Sequence, residues 1–258
     1  MNKYKIVLEY DGTNYSGWQA QKNARSIQGA LIEVAQKFLD TPVDIQGAGR
    51  TDAGVHALGQ VAHLETNRKL HCETLRIGLN DLLPAGINIL SLENAHPRFH
   101  ARHSAVSRSY LYLIAGRRTA FGKKYVWWVK DKLHIGKMRQ ALGVFEGFHD
   151  FASFADKRMD KDTSTKVHVE GIELKEFDSM IAMRITGSHF LWKMVRRIVG
   201  MTVEAGRGHV TAKDLEQILH TFSDVPARFT APPSGLFLEK VLYEGDKVPE
   251  IQPPIHLT

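Results

Sequence analysis

The sequence predicts an α+β protein made of two split β-α-β, ferredoxin-like halves with mainly antiparallel sheets. Three observations carry this: alternating apolar residues at both ends of each half, helix-period runs between them, and a repeat of element order. Residues 3–10 alternate as a strand. Ser26 stands as N-cap before a run in which Ile27, Ala30, Leu31, Val34, Ala35 and Phe38 share one helical face through Leu39. Strands near 43–48 and 59–65, a short helix over 73–82 and a strand over 87–93 complete a β-α-β-β-α-β order.

The second half is expected to repeat it. A strand over 106–115 precedes a helix marked by Ile135, Met138, Ala141, Leu142 and Phe145. Strands over 165–176 and 179–187 follow. The stretch from His189 to Ala205 has helical apolar spacing, Thr211 caps a further short helix, and 236–244 closes as a strand. The domains are therefore placed at 1–104 and 105–258, with a cleft between them as the default place for a site. The Pro-containing tail from Val248 to Thr258 reads as irregular.

Bulk properties narrow the class. A chain of 258 residues with 43% hydrophobic and 24% charged residues builds its own core. One cysteine, Cys72, excludes an intrachain disulfide framework and fits a reducing compartment. The first residues lack the apolar core of a signal peptide, and no apolar run reaches the roughly 20 residues of a membrane span. A cytoplasmic location follows as the expectation. The net charge of +6 suits a polyanionic partner.

The segment from Gln46 to Ala57 concentrates chemistry: three glycines, Arg50, Asp52 and His56 between two predicted strands. Glycines at 47, 49 and 54 allow positive φ or close approach of the backbone to a ligand. A dinucleotide fingerprint fails, because position 52 is aspartate and no long helix follows; a P-loop fails for want of Gly-Lys-Ser/Thr. What remains is either a turn with a solvated Arg50–Asp52 ion pair or a loop presenting one carboxylate to a substrate. A lone nucleophilic carboxylate can form a covalent intermediate at a sugar carbon. A glycosidase needs a second carboxylate to protonate its leaving group, whereas uracil leaves as a delocalised anion.

Gly49 to Ala57, GRTDAGVHA, resembles the signature of the tRNA pseudouridine synthases of the A type. Five further stretches resemble that family in order: DGTNYSGWQAQ from Asp11, FHARHSAVSRSYLYLI from Phe99, GFHDFASF from Gly147, FLWKMVRRIVG from Phe190 and APPSGLFLEKV from Ala231. The resemblance implies isomerisation of uridine to pseudouridine at positions 38, 39 and 40 of the tRNA anticodon stem-loop, without metal or other cofactor. It also implies a homodimer whose α+β halves flank a basic cleft.

By the same resemblance Asp52 is the catalytic nucleophile, and Arg50 helps draw the target nucleotide from the RNA stack. Tyr110 packs on the flipped uracil and handles a proton, Arg196 pairs with Asp52, and Leu238 belongs to an apolar wall. Extrusion costs a few kcal/mol, which an inserted arginine and a stacking aromatic offset. His189, just before Phe190, departs from the small or polar residues common there and is expected to affect only the pocket rim.

Taken alone, Tyr110 reads as a core strand aromatic and Arg196 as the solvated face of an amphipathic helix. His96, His100 and His103 have spacing that suggests metal, but Pro97 discourages a helix there and no ligand set is completed. Two competing functions are an RNA-binding module without chemistry and a metal-dependent hydrolase built on these histidines. Retention of Asp52 with Arg50, Tyr110 and Arg196 argues against the first.

Overall fold

A computed structural model describes residues 1–160 and 162–257, so the tail's last residue, Thr258, lies outside the described residues. The chain forms two compact units. Met1–Val106 and Phe237–Val248 make the first; Ser107–Leu236, with the chain from Pro249 on, makes the second. Both mix α and β, and their sheets are mainly antiparallel.

In the first unit, β1 (Asn2–Tyr10) lies between β3 (His56–Thr66) and β4 (Ile87–Asn94), antiparallel to both. Its alternating residues Tyr4, Ile6, Leu8 and Tyr10 are buried, and each such apolar side chain contributes about 1.5–3 kcal/mol against leaving it in water. The short β2 (Asp44–Gly47) adds to β3. Helix α1 (Ile27–Leu39) starts where Ser26 accepts a hydrogen bond from Gly29 N–H, and it ends at Asp40 in the left-handed region. Helix α2 (Cys72–Leu82) meets it closely. Gly78 lies so near the Phe38 ring that a Cβ would stand 2.2 Å from it.

The second unit is built on β5 (Ser107–Ala115), β9 (Met180–Gly187), β8 (Lys166–Phe177) and β7 (Gly147–Asp150), successive antiparallel neighbours. The two-residue β6 (Trp127–Trp128) joins the edge of β5 in parallel. Helices α3 (Ile135–Gly143), α4 (Met194–Arg207), α5 (Ala212–His220) and α6 (Val225–Arg228) complete it. Thr211 and Asp214 close a reciprocal capping box at α5, as the sequence predicts for Thr211. Helix α4 begins later than its apolar spacing suggests, because Lys193 takes the left-handed conformation (φ 63°) and turns the chain there. Gly200 of α4 admits the backbone of the 229–231 segment, since a Cβ would stand 1.5 Å from Phe229 O.

The closing strand corrects the expected bookkeeping of halves. Strand β10 (Leu236–Leu242) pairs in parallel with β3, setting Phe237 opposite His56 and Leu238 opposite Ala57. From Phe237 it belongs to the first unit rather than ending the second. A strand's own alternation fixes which faces it shows, not which strand receives it. Among the described residues no helix is long and apolar enough to cross a membrane.

Candidate active site

Asp52 sits on a tight turn between β2 and β3. Val55 N–H donates to Asp52 O at 3.1 Å, with Gly54 at φ 76° in the third position, where an L side chain is strained. Thr51 O accepts from Trp18 N–H at 3.0 Å, and the Thr51 and Tyr10 hydroxyls are 2.8 Å apart. Gly54 N–H donates to Tyr15 O at 3.3 Å. The loop is therefore clamped by the Asp11–Gln21 stretch, whose own glycines permit the fit. A Cβ on Gly12 would stand 1.9 Å from Val55 O, and one on Gly17, at φ 98°, 2.6 Å from Thr51 O. Both neighbours are backbone atoms, so neither can swing away.

The three glycines of the loop divide in role. Gly54 supplies the positive φ, and Gly47 admits the Trp18 ring, whose nearest atoms a Cβ would meet at 2.5 Å. Gly49 has neither demand: its φ suits any residue and nothing lies within 4 Å of a Cβ. Its carbonyl accepts from the fully buried Gln60 at 3.0 Å.

Asp52 is half-buried and Arg50 exposed. His56, quoted in the motif but given no role from sequence, proves central to its support. It is buried, its Nδ1 accepts from Gly12 N–H at 3.1 Å, and its ring stacks on Phe237 at 4.8 Å between centroids. Leu238, one residue further, is fully buried beside Ala57 and backs the loop from the core. Only the chain path reveals these supports; nothing in the residue types announces that Gly12 and His56 meet.

Tyr110 and Arg196 belong to the second unit. Tyr110 is 9% exposed on β5 and meets the edge of Phe190 at 5.2 Å, 85° between planes. Two residues along the same face, Tyr112 donates its hydroxyl to Pro232 O at 2.8 Å. Burial raises that phenol well above its ordinary pKa, with the nearby Arg196 charge pulling the other way. Arg196, in the first turn of α4, donates Nε–H to Ala231 O at 2.7 Å, and Ala231 N–H returns a bond to Arg196 O. The neighbouring Arg197 points instead into the protein: it is 6% exposed and donates to Ser153 O and Ala155 O. Adjacent helical residues lie about 100° apart, which separates the two arginines.

The histidine series organises a turn. His100 Nδ1 accepts from Arg102 N–H and His103 N–H, so Nε2 carries the proton shared with Gln46 Oε1 at 3.2 Å. His63 Nδ1 accepts from Ala101 N–H, and burial lowers the pKa of both His63 and His100. Among the described residues no group of three or more His, Cys, Asp or Glu is arranged to hold a metal ion.

The sequence model described as tRNA pseudouridine synthase matches residues 6–104 and 141–244 of this chain. "tRNA pseudouridine synthase A" of Thermodesulfovibrio yellowstonii is 38% identical over 254 residues, covering 94% of this chain and all of that protein. The proteins of the same name from Geobacter sulfurreducens and Bartonella tribocorum are 40% and 39% identical, over 245 and 248 residues, with the same coverage. With a clamped Asp52 loop and a match across both units, the chain belongs to the tRNA pseudouridine synthase family.

Proposed function

We propose that this chain isomerises uridine to pseudouridine in tRNA, at positions 38, 39 and 40 of the anticodon stem-loop. The observation that carries this is the single, half-buried carboxylate of Asp52 on a turn held by backbone clamps. The reaction breaks the N1–C1′ bond, rotates the uracil, and forms C5–C1′; the C5 hydrogen leaves to solvent while N1 gains one. Nothing is oxidised, and no cofactor is required. Asp52 acts at the sugar and must be ionised to do so, a state that a guanidinium counter-ion favours. That part is given to Arg196. Arg50, exposed on the same loop, takes the place of the extruded nucleotide, and Tyr110 packs on the uracil and handles the proton. Leu238 supports an apolar wall that keeps water from the detached base.

In this reading the two α+β units are ferredoxin-like halves on either side of a basic cleft, the active form is a homodimer, and the protein works in the cytoplasm. The net charge of +6 supports recognition through RNA shape and backbone. The test is tritium release from tRNA labelled at uridine C5, with tRNA binding measured in parallel. Wild type is expected to release tritium and Asp52→Asn to release none while binding as tightly. Binding without release by wild type, on fully unmodified tRNA, would reduce the chain to an RNA-binding module. Loss of activity with a chelator would favour metal chemistry instead.

A further inference from the structure

The turn leading into α4 carries a feature that none of these roles uses. Trp192 is 38% exposed, and the Arg158 guanidinium lies over its ring at 4.3 Å from the centroid. Arg158 is held there by its carboxylate partner. Its Nε and Nη2 donate to the two oxygens of Asp156 at 3.0 and 3.1 Å, in a bidentate pair. Asp156 is nearly buried (7% exposed), and its backbone N–H donates to Trp192 O at 3.0 Å, which fixes the two segments to each other. Lys193 makes a second ion pair with Asp156 at 2.8 Å and lies 5.8 Å from the Trp192 ring. Two cations thus share one carboxylate, leaving the patch net positive, and the Arg158 side chain remains 65% exposed.

A surface salt bridge alone would contribute little. This one has a nearly buried carboxylate and a bidentate geometry, and its evident effect is to hold a planar cation over an exposed indole. A guanidinium plane backed by an aromatic ring is a stacking surface for a nucleobase, and a lysine beside it suits a phosphate. Its position limits which nucleotide it can serve. Trp192 and Lys193 run directly into the first turn of α4, where Arg196 stands four residues on from Trp192, a length of chain that spans at most about 14 Å. Stacked nucleotides are about 3.4 Å apart along a strand.

Given the RNA substrate proposed above, on which this rests, we infer that the Trp192–Arg158 stack, with Lys193, is a binding site for an unpaired nucleobase and its phosphate within a few nucleotides of the target uridine. The stack holds the strand that extrusion of the target leaves unstacked, and so contributes to binding and positioning rather than to bond chemistry.

The probe is an RNA hairpin with an anticodon stem-loop sequence, titrated against the full-length protein, with tritium release from labelled tRNA measured alongside. Trp192→Ala and Arg158→Lys, the latter keeping charge but losing the plane, are each expected to raise the dissociation constant about tenfold, with kcat little changed. Trp192→Phe keeps a ring and is expected to recover most of the affinity. Lys193→Ala is expected to reduce the slope of log affinity against log salt by about one. Because Trp192 and Arg158 are surface residues, circular dichroism of each variant should match wild type. Affinity within twofold of wild type for both Trp192→Ala and Arg158→Lys would overturn the site, whether or not wild type releases tritium. Ring- and plane-dependent hairpin binding by a wild-type protein that releases no tritium would keep the site and reject the reaction instead.

Discussion

The Asp52 loop of the first unit and the Trp192 turn of the second differ in how far side-chain charge holds them. The loop is fixed by backbone: Thr51 O, Asp52 O and Tyr15 O accept main-chain N–H groups, and glycines at 12 and 17 stand where any Cβ would strike main-chain atoms. The turn has one backbone bond to the 156 segment, Asp156 N–H to Trp192 O, and adds side-chain charge to it, with Arg158 and Lys193 both gathered on Asp156. Backbone clamps cannot rotate aside, so they place a carboxylate reproducibly against a reacting carbon, where small errors of position are expensive. Ion pairs on long side chains can reform around a ligand. The nucleophile proposed for Asp52 calls for the first arrangement, and the RNA surface proposed for Trp192 tolerates the second.

Three substitutions would break or sharpen that contrast. Gly12→Ala should have the largest effect. Its Cβ would need Val55 O, only 1.9 Å away, to move, and with it the Asp52 turn. A loss of about 2–4 kcal/mol is expected in urea unfolding, with tritium release falling at least as far as stability. Near-normal stability and activity would show that the loop is less rigid than its contacts imply.

Asp156→Asn should come next, and mainly as a pH effect. Hydrogen bonds from Arg158, then those from Lys193, hold the Asp156 carboxyl well below the usual carboxylate range. A carboxyl with a depressed folded-state pKa adds stability that is present above its unfolded value, about 4, and disappears as pH falls toward the folded value. Wild type should therefore exceed Asp156→Asn by about 1 kcal/mol at pH 7, and the margin should narrow only as pH falls below the unfolded value of about 4 and on toward the far lower folded one. Parallel curves across that range would mean that the difference does not come from ionisation of Asp156. Gly49→Ala should be the mildest. With open space around a Cβ and an ordinary φ, its Tm is expected within about 2 °C of wild type. A loss of tritium release at unchanged Tm would identify Gly49 as a point where RNA approaches the backbone.

Much of this protein was legible before its structure. The strand at 3–10, the Ser26-capped helix, the hairpin over 165–187 and the Thr211 cap are local signals, written in period and capping chemistry within a few residues. The Asp52 segment was legible as chemistry for the same reason: its residue types stand side by side, and its resemblance to a known signature needs no folding to detect. Helix α4 shows the limit, since apolar spacing from His189 did not reveal the left-handed Lys193 that delays its start.

The sequence by itself determined the composition of the elements, the basic charge and the family signature. Tertiary structure alone decided that β10 returns to β3 in the first unit, that His56 meets Gly12, and that Gly47 and Gly54 are constrained while Gly49 is not. It also decided that Arg196 and its neighbour Arg197 take different surroundings, and that Arg158 lies on a tryptophan 34 positions away. The physical reason is common to all of these. Period and capping depend on neighbours along the chain, whereas register, close approach and charge pairing depend on which distant backbone folding brings within a few ångströms.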